Sequence, residues 1–234
     1  MMRHFGLVVL SLALAAQTPK VTPTGAELTN GWKLSPIGRH TATSDYVLNV
    51  QQAPDGKALV GLHSGFNPHG LAVVDPVTSE VVQRIPQKSA WFGMAWSPDG
   101  KQLAVAFANR VELRGSPRAK ARRVFEGLPG KVNAVHFSPD AKQLITASGI
   151  TGLSGVAQLW NVTDGKKIRE FGGHRDVLYD AELSPDGQTL ATAGYDRVIK
   201  LWRVRDGALL RSIAVHNGAI FDLAFSPDGA VLAS

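Results

Sequence analysis

Histidine is the side chain best suited to proton transfer or metal binding near neutral pH, and the sequence has seven: His4, His40, His63, His69, His136, His174 and His216. No two of them stand i, i+4 in an HExxH helix motif, and there is no GxSxG elbow, P-loop or GxGxxG after a strand. His63 and His69 share the Gly-rich segment HSGFNPHG, which reads as a long surface loop. The carboxylates Asp55, Asp99, Asp140, Asp186 and Asp228 recur in one turn tetrapeptide, so they read as turn residues, not as an acid/base pair. Cysteine is absent. That excludes disulfides, thiolate zinc sites, iron–sulfur clusters, CxxCH haem attachment and a cysteine nucleophile. No catalytic, cofactor-binding or metal-ligating residue is therefore assigned, and no cofactor is expected.

The residues left over must be placed by a scaffold, and the scaffold repeats. SPDG or a near copy occurs around Pro54, Pro98, Pro139, Pro185 and Pro227, at separations of 44, 41, 46 and 42 residues. Proline presets φ, aspartate bonds the backbone ahead of it and glycine supplies positive φ, so each copy is a tight turn between strands. Around the fourth copy the strands are legible. Thr189–Ala193 is small and apolar, Val198–Trp202 follows, Asp206-Gly207 is a second turn, and Ala208–Ile213 is a fourth strand. Before Pro227, Phe221, Leu223 and Phe225 alternate as on a half-buried strand. Four strands in about 42 residues make one blade of a β-propeller. A lone four-stranded sheet cannot bury both faces, so small residues such as Ala181, Ala191 and Ala193 fit where blades stack. The expected fold is all-β, with four antiparallel blades and half of a fifth: approximately 45–86, 87–127, 128–172, 173–214 and a partial 215–234.

The pattern GH…SPDG…LW resembles the WD-repeat family. Copy four has Gly173-His174, Ser184–Gly187, Asp196 and Leu201-Trp202; copy five has His216 and Ser226–Gly229; copy three has Ser138-Pro139-Asp140 and Leu159-Trp160. The resemblance implies a buried hydrogen-bonded tetrad in copy four, formed by His174, Thr192, Asp196 and Trp202. Copy three departs from it, with Leu128 at the histidine position, no aspartate, and extra residues in Gly149–Gly155. Copy two has Leu113-Arg114 in place of Leu-Trp, and copy one has Val73-Val74-Asp75. These two copies are more similar to looser bacterial propellers of the YVTN type. WD-repeat propellers close with about seven blades, so the resemblance also implies further blades or domains downstream of Ser234.

The N-terminus reads as an address. Arg3 precedes the apolar run Phe5–Ala16, whose twelve residues are too few to span a bilayer, and Ala13-Leu14-Ala15 offers small residues for a signal peptidase. Residues 1–16 are expected to be a signal peptide and 17–44 a linker and lead-in. The mature chain would have no membrane span and would act in the bacterial periplasm or outside the cell.

The formal charge is +6 and the pI about 9.7. Arg114, Arg118, Lys120, Arg122 and Arg123 cluster without interleaved aromatics, which argues against a nucleic-acid surface. Trp91, Phe92 and Trp96 crowd the strand before the second turn. Packing explains them by default, and Trp91 stands where an aromatic could line a propeller mouth and anchor a partner. Candidate contacts for a protein or peptide partner are Trp91, Arg123, Arg175, Tyr179 and Arg197. The expected function is a non-catalytic interaction scaffold. The alternative is a docking or regulatory propeller of a larger exported enzyme, of cytochrome c or hydrolase type.

Overall fold

The four copies that begin with serine turn one strand into the next by the same hydrogen bonds. In the computed structural model, which describes residues 20–22, 25–27, 33–34, 46–64, 69–87 and 91–234, Ser184 Oγ donates to Asp186 Oδ1 and accepts the Thr189 N–H, while Asp186 accepts the Gln188 N–H. Ser97, Ser138 and Ser226 repeat this with Asp99, Asp140 and Asp228. Gly100, Gly187 and Gly229 take φ of 70, 69 and 71° at the turn's end, where Ala141 of the third copy adopts 59°.

These turns build four antiparallel four-stranded sheets. Blade one holds β4 (Tyr46–Gln52), β5 (Leu59–Ser64), β6 (Gly70–Val74) and β7 (Val81–Pro86). Blade two holds β8 (Met94–Trp96), β9 (Leu103–Ala106), β10 (Arg110–Arg114) and β11 (Ala121–Glu126). Blade three holds β12 (Lys131–Phe137), β13 (Gln143–Ile150), β14 (Ser154–Asn161) and β15 (Lys167–His174). Blade four holds β16 (Leu178–Leu183), β17 (Thr189–Gly194), β18 (Ile199–Arg203) and β19 (Leu209–Ile213). A two-stranded sheet follows, β20 (Ala224–Phe225) with β21 (Leu232–Ala233). No strand crosses over within a blade, and the described residues contain no helix.

The core lies between blades, as stacking requires. Val60, Leu62 and Leu71 of blade one meet Met94, Leu103 and Val105 of blade two. Phe125 and Val111 of blade two meet Leu144 and Trp160 of blade three. Phe171 and Leu159 meet Leu178, Leu190 and Trp202 across the next interface, and Ala191, Ala193 and Ile199 meet Ile220 and Leu223 across the last. Alanine on β17 lets the sheets approach, and the large side chains fill the remaining space.

The structure adds detail at three places. Residues 17–44 are not only linker: the chain divides into units Met1–Thr41 and Ala42–Ser234, and the first holds a three-stranded meander of β1 (Lys20–Thr22), β2 (Gly25–Glu27) and β3 (Lys33–Leu34). The β-branched pair Val21-Thr22 before Pro23-Thr24-Gly25 is a short hairpin signal inside a polar stretch. The boundary between blades three and four also moves, because His174 ends β15 and pairs with Gly155. Lastly, Phe221 precedes β20 and is 68% exposed instead of lying on a half-buried strand. The expected signal peptide lies outside the described residues.

Candidate functional site

Blade four shows how the scaffold fixes its loops. Trp202 Nε1 donates to Thr192 Oγ1 at 2.8 Å, and Thr192 Oγ1 lies 2.8 Å from His174 Nε2. His174 Nδ1 faces Asp196 at 2.9 Å, and Asp196 also accepts the backbone N–H of Arg175 and of Val198. The pattern assigns a neutral imidazole, with Nδ1–H donating to the carboxylate and Nε2 accepting from the threonine. Burial holds the His174 pKa below its ordinary value despite the attraction of Asp196. The connection before β16 and the turn before β18 are thus pinned to one buried carboxylate. His216 and Ser234 begin the same arrangement 42 residues later, with Nε2 and Oγ 2.9 Å apart.

Antiparallel order puts these two kinds of connection at one end of every blade and the SPDG turns at the other. At the first end the inner strands β4, β8, β12 and β16 and the segment entering β20 line one open mouth, and the described sheets do not close into a ring. Its residues come from a register rule. Leu48, Phe92, Asn133, Tyr179 and Phe221 each stand six positions before their turn proline. In three blades that residue falls in a β-bulge, between Val47 and Asn49, Val132 and Ala134, and Leu178 and Asp180. A bulge re-aims a side chain out of the ladder, here toward the mouth.

The result is an aromatic cup over a cavity of about 500 Å³, lined by Trp91, Phe92, Tyr179 and Phe221 among others. Tyr179 stacks on Phe221 with centroids 4.8 Å apart, and Trp91 meets Phe92 edge-on at 5.5 Å. Trp91 Nε1 donates to Asn133 Oδ1, Asn133 Nδ2 to the Leu178 carbonyl, and Lys131 Nζ sits 3.8 Å from the Trp91 ring centroid. Three blades therefore hold the cup together. Its rim is raised on one side by the extra residues of copy three. They lengthen β13 and β14 into eight-residue strands, and the Gly152 N–H at their tip donates to Asp176 of the next blade.

The structure brings Trp91 and Tyr179 together in the cup and sets Arg175 and Arg197 beside it, in an adjoining groove that Phe221 also lines. Arg123 belongs elsewhere. It lies on outer strand β11 and covers Gly165, in the turn of blade three at the far end, as Arg169 covers Gly207. Arg114 is buried against Glu112 and Gln87, so the basic run is partly internal. Phe92 and Phe221 were not among the candidates, although their offset from the turn proline marks them.

The other chemistry-bearing groups are structurally occupied. Serine hydroxyls, then backbone N–H donors, hold Asp99, Asp140, Asp186 and Asp228 below the usual carboxylate range. His63 is buried on β5. Among the described residues no group of three His, Cys, Asp or Glu could hold a metal ion, and no helix is long and apolar enough to cross a membrane.

Four-stranded blades stacked face to face, with a buried Trp–Thr–His–Asp chain fixing the loops at one end, define a β-propeller built of repeats. The WD domain, G-beta repeat family matches residues 120–161, 165–203 and 207–234. An uncharacterized WD repeat-containing protein of Synechocystis is 30% identical over 147 residues, covering 62% of this chain and 40% of that protein. The guanine nucleotide-binding protein subunit beta-1 of Caenorhabditis briggsae is 28% identical over 171 residues, 67% of this chain and 48% of that one. The groucho protein of Drosophila melanogaster is 28% identical over 198 residues, 80% and 26%. The chain thus spans less than half the length of each of these relatives. Residues 120–161, 165–203 and 207–234 are WD repeats, and the chain is similar to propellers built of them.

Proposed function

We propose that this chain is a non-catalytic interaction scaffold that holds a peptide segment of a protein partner at the aromatic mouth, and that it acts outside the cytoplasm. One observation carries the binding reading: Phe92 and Phe221 remain 42% and 68% exposed although the rings converge from separate blades. Aromatic side chains present large contact area with few rotatable bonds, and they dominate binding energy where they line a concave surface. The scaffold reading is further supported by the bonding of His174 and the turn aspartates, which leaves them in structural roles. Export rests on Arg3, the apolar run Phe5–Ala16 and the small residues at Ala13 and Ala15.

A photocrosslinking side chain placed at Phe221 tests the mouth. It should capture a defined protein in cells of the source, whereas the same group at Val124 on the outer strand should not. Equal capture from both positions would reject the mouth as the binding surface. Export is checked on the native protein, whose first residue should fall near Ala16 or Gln17.

A further inference from the structure

The cup has an acidic floor. Below the rings a second cavity of about 360 Å³ shares Phe92, Asn133, Tyr179 and Phe221 with the first, and reaches Asp180, Asp222 and His136. The Asp180 side chain is 3% exposed, pairs with His136 Nε2 at 2.9 Å and accepts the N–H of Ala181 and of Leu223. Glu182, two residues along the same strand, accepts the Phe225 N–H at 3.0 Å. Asp222 is exposed and makes no hydrogen bond or ion pair among the described residues. Three carboxylates therefore act on one imidazole, and two of them, Asp180 and Asp222, line the cavity.

Their mutual field is visible in the titrating groups. Burial raises the Glu182 pKa, and Asp180 and Asp222 add to that rise against the Phe225 N–H and His136. Burial alone would lower His136, yet Asp180, Glu182 and Asp222 together raise it. Burial is the larger cause at Glu182, while at His136 the carboxylates together outweigh burial. The rings of Phe92, Tyr179 and Phe221 line the same space. Lys131 already demonstrates the complement, because its ammonium rests on the face of Trp91. Among the described residues no cation rests on Phe92 or Phe221.

We infer that the mouth selects a peptide with a lysine or arginine side chain, whose stem lies against Phe92 and Phe221 and whose charge turns toward Asp222. This rests on the reading of the mouth as a peptide site and gives that peptide its chemistry. An aliphatic side chain would fill the cup but strip water from Asp222 without replacing it. A glutamate would meet the carboxylates directly, although Arg175 and Arg197 stand at the neighbouring rim. The cation satisfies both the rings and the floor.

The test uses the purified chain and four short blocked peptides, identical except that the variable positions hold arginine, citrulline, leucine or glutamate. Citrulline keeps the shape of arginine and removes the charge. The arginine peptide should bind best, with citrulline weaker by about tenfold or more. Asp222→Asn should weaken the arginine peptide severalfold and leave the citrulline peptide unchanged. Asp222 is the right position because its side chain makes no bond the fold needs; near-ultraviolet circular dichroism would verify the fold. Equal binding of arginine and citrulline, preference for glutamate or leucine, or no binding by any of the four overturns the inference. Crosslinking from Phe221 would still stand in each of those cases, so the broader reading fails separately.

Discussion

Blades three and four carry the same buried tryptophan but hold their loops differently. Trp160 Nε1 donates to Thr146 Oγ1 at 3.1 Å, as Trp202 does to Thr192 at 2.8 Å. Beyond that shared bond they part. Blade four continues through His174 to Asp196 and thence to two backbone N–H groups. Blade three ends at Leu128, which is buried in the apolar cluster between blades two and three. Its loop is tied instead by the lengthened β13–β14 hairpin, through Gly152 to Asp176. Packing of the tryptophan is therefore the common stabilising element, and the polar chain is one of two ways to place the loops at the mouth.

If that is right, the largest effects should be equal in the two blades. Trp202 and Trp160 are 7% and 5% exposed, and truncation of either to alanine should cost roughly 3–5 kcal/mol. Urea unfolding of the two variants gives the comparison. A loss confined to Trp202→Ala would mean that the tryptophan acts mainly through the polar chain, and a change within about half a kcal/mol for both would mean that its packing is not the common stabilising element.

The polar chain itself should show as acid sensitivity. The folded His174 pKa lies below the ordinary value of 6.5, with burial the main cause. The unfolded chain then binds more protons, so the stability His174 contributes is complete above about pH 6.5 and is lost as the pH falls below it. His136 has the opposite sign: its folded pKa is raised, so its contribution is present below 6.5 and lost as the pH rises through the folded value. His174→Leu, which copies Leu128, should cost about 1–3 kcal/mol at neutral pH because Thr192 and Asp196 lose their partner. It should also flatten the fall in stability below pH 6.5. His136→Gln should leave that acid limb in place. Identical pH profiles for the two variants would remove the distinction between a buried tetrad histidine and one facing the mouth.

The sequence was informative where a physical need repeats at a fixed pitch. Turn chemistry placed the blades, and the resemblance of copy four to a WD repeat implied His174, Thr192, Asp196 and Trp202, which hydrogen bonds link. Trp91 and Tyr179 were picked out, but Phe92 and Phe221 were assigned to packing because alternation alone points them inward. Both residues precede their strands, β8 beginning at Met94 and β20 at Ala224, so alternation does not govern them. A strand's first paired residue leaves no compositional mark, and the cup became legible only by counting back from the turn prolines. Arg123 lies apart from the mouth, and a sequence cluster of arginines does not say at which end of a strand each side chain lies.

The smallest difference between the blades lies in their turns and tests the backbone alone. Ala141 of blade three holds φ at 59° where Gly187 of blade four holds 69°. A left-handed conformation costs a residue with Cβ about 1–2 kcal/mol, while glycine gives back about 0.4–1 kcal/mol through greater freedom in the unfolded chain. Ala141→Gly should therefore stabilise the protein by about half a kcal/mol, read as a higher urea midpoint at unchanged slope. Gly187→Ala should lose a similar amount. A Cβ built on Gly187 meets no heavy atom within 4 Å, so its cost would be conformational and not steric. A gain from Ala141→Gly without a loss from Gly187→Ala would show that blade three's turn is strained by its longer hairpin, and that the two blades differ in more than how their loops are tied.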